Sequence, residues 1–400
     1  MPDFLLLILL VVAIFVGWLL GRKHKNTPHN LPSGSTIPTS YYRSLNLIIS
    51  DSDSDEAVDS FIEAFEVTST TLPTHLSMGD LLRNRGDVDG AIRIHQNLLA
   101  RPSLMKREQD EAHLALAKDY AQAGLLDRAE SLLGDMIDKQ SELSTTALNQ
   151  LVSIYQEQRD WQLAIDTGLK LTPRRLLRSK QTQATPLAVA MGHYCCELAE
   201  QKIAENEWRK VRALLKQALE FDRNSVRASL IWGRLDINAG RYSQAIKILA
   251  SIENQEPLFM NEAISMIAHC YQQLDDVNGF IVYAETLLQR RPLTSVLIEL
   301  VWAIQSRDGE EQAEKLLVHA MMERPTLHGL VQLVDLHQSH ASDSELPNLA
   351  LLKGLLDSLL ANKPLYRCRE CGFSGQQLHW LCPSCKGWGV VAPVIGVEGQ

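Results

Sequence analysis

The sequence predicts an all-α protein: a superhelix of stacked helix pairs, with an N-terminal transmembrane helix before it and a small C-terminal metal-binding module after it. Three observations carry this. Helix-forming Ala, Leu, Gln and Glu are plentiful, while aromatic residues make up only 6% of the chain. A small residue recurs at intervals close to 34 positions over most of the length. Four of the seven cysteines fall within eighteen positions near the C-terminus. A length of 400 residues suits about two to three domains. The formal charge of −9 leaves no basic footprint, so no nucleic-acid partner is expected.

Phe4 to Leu20 is an unbroken apolar run of seventeen residues. As a helix it is about 25 Å long, within the usual range for a membrane span. A cleaved signal peptide would carry a basic residue before the run and a small-x-small site after it. Here Asp3 precedes the run, and Arg22, Lys23, His24 and Lys25 follow it. Trp18 lies near the inner end, where interfacial aromatics gather. Residues 1–21 therefore read as an uncleaved anchor, with the N-terminus outside and the body in the cytoplasm by the positive-inside rule. Residues 22–40 include Pro28, Pro32, Gly34 and Pro38 and read as a flexible juxtamembrane linker.

The repeat occupies residues 41–325. Its marker is a small residue near the start of the second helix of each pair: Ala57, Ala91, Ala129, Ala164, Val211, Ala245, Phe280 and Ala313. The intervals are 34, 38, 35, 47, 34, 35 and 33 residues. This is the period of the tetratricopeptide repeat, a pair of antiparallel helices. Gly79 and Gly233 each precede a marker by twelve positions, and Tyr120, Tyr155 and Tyr271 each precede one by nine. A small marker lets the paired helices approach closely, and the Gly avoids a clash in the first helix. Val211 and Phe280 are larger than the pattern favours. One pair cannot bury its apolar face alone, so the pairs must stack.

The 47-residue interval holds an insertion, Pro173 to Gln183, with Arg174, Arg175, Arg178 and Lys180. It reads as a solvated loop, or as a contact for anionic lipid or an acidic partner. The acidic stretch Asp51, Asp53, Asp55, Glu56 and Asp59 reads as solvated surface. Thr326–Gln338 and Leu346–Ala361 read as two further amphipathic helices, within residues 326–363, that close the array and pack on the metal module.

No Gly-x-Ser-x-Gly elbow, phosphate-cradling Gly-rich loop or His-Glu-x-x-His occurs, so no enzyme is expected. Cys195, Cys196 and Cys270 read as buried packing residues. Trp161, Trp208 and Trp232 read as core. Function then falls to a surface, since repeat arrays bind segments of other proteins along a groove.

Residues 364–400 carry the chemistry. Cys368-x-x-Cys371 and Cys382-x-x-Cys385 are two turns, each able to aim two thiolates at one ion, and together they make a tetrahedral sulfur cage suited to zinc or iron. Gly372 and Gly387 are expected in the left-handed conformation, and Pro383 pre-sets the second turn. Four sulfurs fill the coordination sphere, so the ion is structural; His379, between the pairs, is surplus to the set. The alternatives are a pair of disulfides, disfavoured by the spacing and by a reducing compartment, and an iron site that passes one electron.

The order of anchor, linker, repeats and two-pair Cys module resembles the lipopolysaccharide assembly protein B family over the whole chain. The stretch Arg85-Gly86-Asp87-Val88-Asp89-Gly90-Ala91-Ile92-Arg93-Ile94-His95-Gln96 and the tail from Tyr366 through Cys385 carry the likeness most closely. It implies a rubredoxin-type module with Cys368, Cys371, Cys382 and Cys385 as metal ligands, iron favoured over zinc. It also implies a regulator of lipopolysaccharide synthesis in the inner membrane that promotes degradation of the deacetylase LpxC by the membrane protease FtsH. Other lipopolysaccharide-assembly proteins and an inner-membrane antagonist are further implied partners. A general envelope-assembly scaffold without a proteolytic role is the competing reading. Repeat proteins of this kind often pair, and a homodimer is expected.

Overall fold

The computed structural model describes residues 58–59, 61–63, 67–101, 104–172, 184–342, 344–361, 363–394 and 396. The expected anchor, the linker, the Ala57 marker, the acidic residues 51–56 and the basic insertion at 173–183 lie outside the described residues. Among the described residues no helix is long and apolar enough to cross a membrane. The chain divides into two compact units, one ending at Ala129 and the other beginning at Glu130.

In the first unit the helices Leu72–Arg85 and Val88–Leu99 form a pair, followed by Lys106–Gln122. The pair turns at Gly86, whose φ of 94° suits a residue without a Cβ. Asp87 then caps the second helix by accepting from the Gly90 N–H at 2.9 Å. Gly79 is required for a different reason: a Cβ there would lie 2.3 Å from His95 Nε2 on the facing helix. Met78, Leu82, Ala91 and Ile94 close one core with Val58 and Phe61. Beside it Asp119, fully buried, accepts from Arg83 Nη1 at 2.8 Å and contacts His95 Nδ1. A buried carboxylate held this way is paired rather than stranded. Asp59 pairs with Arg93 at the surface.

In the second unit the same pairing runs through Ser144–Gln158 with Trp161–Leu171, Pro186–Ala204 with Trp208–Phe221, and Val226–Asn238 with Tyr242–Ala250. It continues through Met260–Gln273 with Val277–Arg290 and Thr294–Asp308 with Glu310–Glu323. The helix Leu126–Asp138 carries the division between the units. Asp160 and Asp276 cap second helices as Asp87 does, accepting from Leu163 N–H at 3.3 Å and Gly279 N–H at 2.8 Å.

Every described marker is the fourth residue of its second helix, and every one is buried, Val211 at 0% exposure and Phe280 at 2%. The two large markers therefore sit in regular pairs. Phe280 packs its ring beside Tyr271, the two centroids lying 5.9 Å apart, within the core of the second unit. Gly233 repeats the role of Gly79: a Cβ would meet Leu249 Cδ2 at 2.4 Å.

Three features depart from the sequence reading. A short helix Ile252–Gln255 and a 3₁₀ turn Pro257–Phe259 fill the link before Met260 and bury Phe259. Trp208 opens a second helix at 46% exposure rather than packing in the core. After Leu327–His340 and Leu346–Ala361, the end of the last helix meets the metal module where Gln376 Nε2 donates to the Ala361 carbonyl (3.2 Å) and to the Lys363 carbonyl that follows it (2.5 Å). The module's main seat lies elsewhere.

Candidate metal centre and its seat

The module is built on a three-stranded antiparallel sheet of order β2-β1-β3: β1 Tyr366–Cys368, β2 Ser374–Gly375 and β3 Val391–Pro393. β1 delivers Cys368 opposite Val391. The two Cys-x-x-Cys turns are wound alike. In the first, the Cys368 N–H donates to Phe373 O at 2.7 Å and the Gly372 N–H to Cys368 O at 3.2 Å. In the second, the Cys382 N–H donates to Gly387 O at 2.9 Å and the Lys386 N–H to Cys382 O at 3.0 Å. The residue four positions after the leading Cys takes the left-handed conformation in both, Gly372 at φ 78° and Lys386 at φ 59°. This corrects the expectation for Gly387. That glycine is needed for space, since a Cβ would come within 2.9 Å of Glu370 Oε2 and 3.0 Å of Val390 Cγ2.

The turns bring the four predicted sulfurs together, all within 4.8 Å of one another. Cys368 and Cys385 Sγ are 3.7 Å apart, and Cys371 and Cys382 Sγ 3.6 Å. A tetrahedron with metal–sulfur bonds of about 2.3 Å has sulfur–sulfur edges of about 3.8 Å, so the cage has the right size. The Cys371 N–H points at Cys368 Sγ from 3.5 Å, a donor that favours thiolate. The Phe373 N–H, aided by Ser384 and the neighbouring sulfurs, lowers the Cys371 thiol to about 6. At Cys385 the Gly387 N–H pulls the same way, yet burial and the three nearby sulfurs outweigh it and push the thiol up to about 12. Four sulfurs this close cannot all be anionic on their own, and a cation is what lets them be. Cys368 and Cys382 are buried, whereas Cys371 and Cys385 form the exposed edge.

His379 makes an edge contact with Phe373 at 5.9 Å and lies outside the sulfur cluster. Cys195, Cys196 and Cys270 are fully buried; burial raises all three thiols, Cys196 to about 12 and Cys270 to about 11. They behave as small apolar side chains.

The structure adds a seat that the sequence reading did not identify. Trp388, three residues past Cys385, enters a socket on the second unit. Its Nε1–H donates to Gln156 Oε1 at 2.8 Å, the oxygen that also accepts from the Tyr194 hydroxyl at 2.8 Å. Its ring stacks on His193 at 5.0 Å and meets Tyr194 and Trp161 edge-on at 5.8 and 6.1 Å. Trp380 stacks on Phe259 at 5.6 Å. Arg369 grips Glu256 through both terminal nitrogens at 3.2 and 3.1 Å, and the Tyr366 hydroxyl donates to Glu262. Gly389 is needed where a Cβ would meet His193 Nε2 at 3.1 Å. Burial, then the charge of Arg227, lowers the pKa of His193 to about 3, so the socket holds a neutral imidazole. One clue to the seat was available in the sequence: two Trp flank the second Cys pair in a module too small to bury them itself.

Fold and site together define a tetratricopeptide-repeat protein that carries a rubredoxin-type metal-binding module. Profiles of the tetratricopeptide repeat match residues 74–108 and 202–270, and the rubredoxin metal binding domain matches residues 366–393. The chain is 32% identical over 396 residues to lipopolysaccharide assembly protein B of Escherichia coli K12, with 99% of each chain covered. It is 29% identical over 403 residues to the Haemophilus influenzae protein of that name, covering 98% of this chain and 99% of the other. A tetratricopeptide repeat protein from Parabacteroides merdae aligns at 14% identity and a TM-score of 0.33, over 72% of this chain and all of that one. The chain belongs to the lipopolysaccharide assembly protein B family.

Proposed function

We propose that this protein is an adaptor of lipopolysaccharide assembly, anchored in the bacterial inner membrane by residues 4–20 with its body in the cytoplasm. Its task is to promote degradation of the deacetylase LpxC by the membrane protease FtsH, and so to restrain lipopolysaccharide synthesis. The observation that carries the proposal is kinship over the full length, from anchor segment to Cys module, with proteins named for lipopolysaccharide assembly. Stacked helix pairs are suited to holding a partner segment. An anchor would confine that partner to the plane of the protease and raise its effective concentration.

In this reading Cys368, Cys371, Cys382 and Cys385 hold one tetrahedral ion. The rubredoxin character of the module favours iron, with zinc the alternative. The bound ion supplies the folding energy that so short a segment lacks. The Cys371 N–H favours the thiolate of Cys368, the ion itself lets the four sulfurs be anionic together, and Trp388, Trp380 and Arg369 fasten the module to the helices of its unit. Metal analysis and the visible spectrum of the purified protein separate the two ions, since an iron–sulfur site is coloured and a zinc site is not.

The deciding experiment is the cellular half-life of LpxC with the protein present and after its depletion. A longer half-life on depletion is the expected outcome. An unchanged half-life would leave a scaffold for envelope-assembly enzymes without a proteolytic role.

A further inference from the structure

A cavity of about 420 Å³ opens between the first helices Met260–Gln273 and Thr294–Asp308 of the second unit. Its lining includes Phe280 at the back, Ser265 and His269 from one helix, and Glu299 and Trp302 from the other. Two of these side chains bear on what the cavity could hold. Trp302 is 50% exposed, as Trp208 is at 46%, while Trp161 is buried and Trp380 and Trp388 are packed on aromatic partners; of the two exposed indoles Trp302 lines the cavity. Glu299 is half-buried, and its carboxylate accepts from the Ser265 hydroxyl. No Lys or Arg pairs with it among the described residues.

Other half-buried acids of this unit are served from within the fold: Glu256 holds Arg369, Asp335 holds Lys353, and Glu262 accepts from the Tyr366 hydroxyl of the metal module. Arg307, the basic residue of the Trp302 helix nearest the cavity, is turned to Asp308 and Asn278. Burial raises the pKa of Glu299, while the Ser265 hydrogen bond opposes that rise. A carboxylate stripped of part of its water and given no counter-charge gains most from a cation arriving from outside. An exposed indole face beside it attracts the same species.

We propose that this cavity is the anchoring pocket for an arginine side chain on a protein segment that docks along the first-helix face, its guanidinium lying over Trp302 and hydrogen-bonded to Glu299. Charge complementarity selects the occupant: a flat guanidinium stacks on an indole and donates to a carboxylate at once, which a hydrated ammonium does less well. The inference deepens the adaptor reading, since it rests on that face as a partner-binding surface, but it does not depend on which protein supplies the segment.

The test uses the full chain in detergent micelles, labelled with 5-fluorotryptophan, the Trp302 resonance being assigned by its loss in Trp302→Phe. The probes are the peptide acetyl-Ala-Leu-Arg-Leu-Ala-amide and its citrulline counterpart, which keeps the shape and loses the charge. The arginine peptide is expected to shift the Trp302 resonance and to bind at least about tenfold more tightly than the citrulline peptide. Glu299→Gln, which keeps the Ser265 contact and the side-chain volume, should abolish that preference, and Glu299→Asp should retain part of it. Equal affinities for the two peptides, a preference that survives Glu299→Gln, or a Trp302 resonance unmoved by either peptide would each overturn the pocket. Those results would leave the half-life of LpxC untouched as a test of function. An unchanged half-life with an intact arginine preference would overturn the function and keep the pocket.

Discussion

The helical array and the metal module bury their chains by opposite means. In the array the same contact is made over and over. Seven described second helices, from Val88–Leu99 to Glu310–Glu323, each bury their fourth residue. Within the second unit each pair then leans on the next, so the loss of one contact is shared among neighbours. The module has no such redundancy. Its own core amounts to Cys368, Cys382 and Val391, with Tyr366, Phe373, Leu378 and Val390 packed partly against it. Two of those three buried residues are proposed ligands. A repeat array therefore tolerates a large marker such as Phe280, whereas the module depends on one cluster of sulfurs and one borrowed socket.

The comparison can be broken most directly at the sulfurs. Cys368→Ser with Cys382→Ser should release the ion and unfold the module, removing most of the binding free energy of about 10–16 kcal/mol that structural zinc sites of this kind supply. Loss of metal and of the near-ultraviolet circular dichroism of Trp380 and Trp388 should accompany retention of the far-ultraviolet helix signal. A parallel collapse of the helix signal would show that the array leans on the module as much as the reverse. A smaller effect is expected inside the array. Phe280→Ala restores the small residue that the repeat pattern favours, yet should cost about 3–5 kcal/mol in chemical denaturation because it empties buried space beside Tyr271. A stabilised or neutral variant would mean that the large marker is a tolerated flaw and not a fitted one.

Acid sharpens the comparison at the junction. His193 has its folded-state pKa depressed to about 3 from the ordinary 6.5. Above that ordinary value the imidazole is neutral both seated and released, and it adds no pH dependence. As pH falls below 6.5 towards 3, the released form takes a proton that the seated form refuses. Seating should then weaken by up to about 1.4 kcal/mol per pH unit. Limited proteolysis of the module against pH reads this. His193→Phe, which keeps a ring beneath Trp388, should flatten the profile between pH 6.5 and 4.5, and an unchanged slope would show that another group governs release.

The repeat was legible because packing imposes period. Gly79 and Gly233 occupy one structural position 154 residues apart, each facing the side chain four places beyond its marker, His95 and Leu249. Spacing alone placed both. The paired cysteines were legible for a similar reason: two thiolates separated by two residues belong to one local turn, and local geometry is written in local sequence. Gly387 was legible only in part. Its neighbours suggested a left-handed turn, but that conformation falls on Lys386, and Gly387 answers instead to the approach of Glu370 and Val390. Trp208 misled because apolar character predicts burial and says nothing of which way a helix is turned.

By itself, then, the sequence determined the helix pairs, their period, the marker residue near the start of each second helix, and four sulfurs poised for one ion. Each depends on residues close together in the chain or on a repeated interval. The tertiary structure alone decided that Trp388 shares Gln156 with Tyr194, that Arg369 reaches Glu256, and that Glu299 stands beside an open indole without a counter-charge. Those contacts join residues separated by as many as 232 positions. No local preference encodes such a meeting; it follows only when burial has brought the whole second unit together.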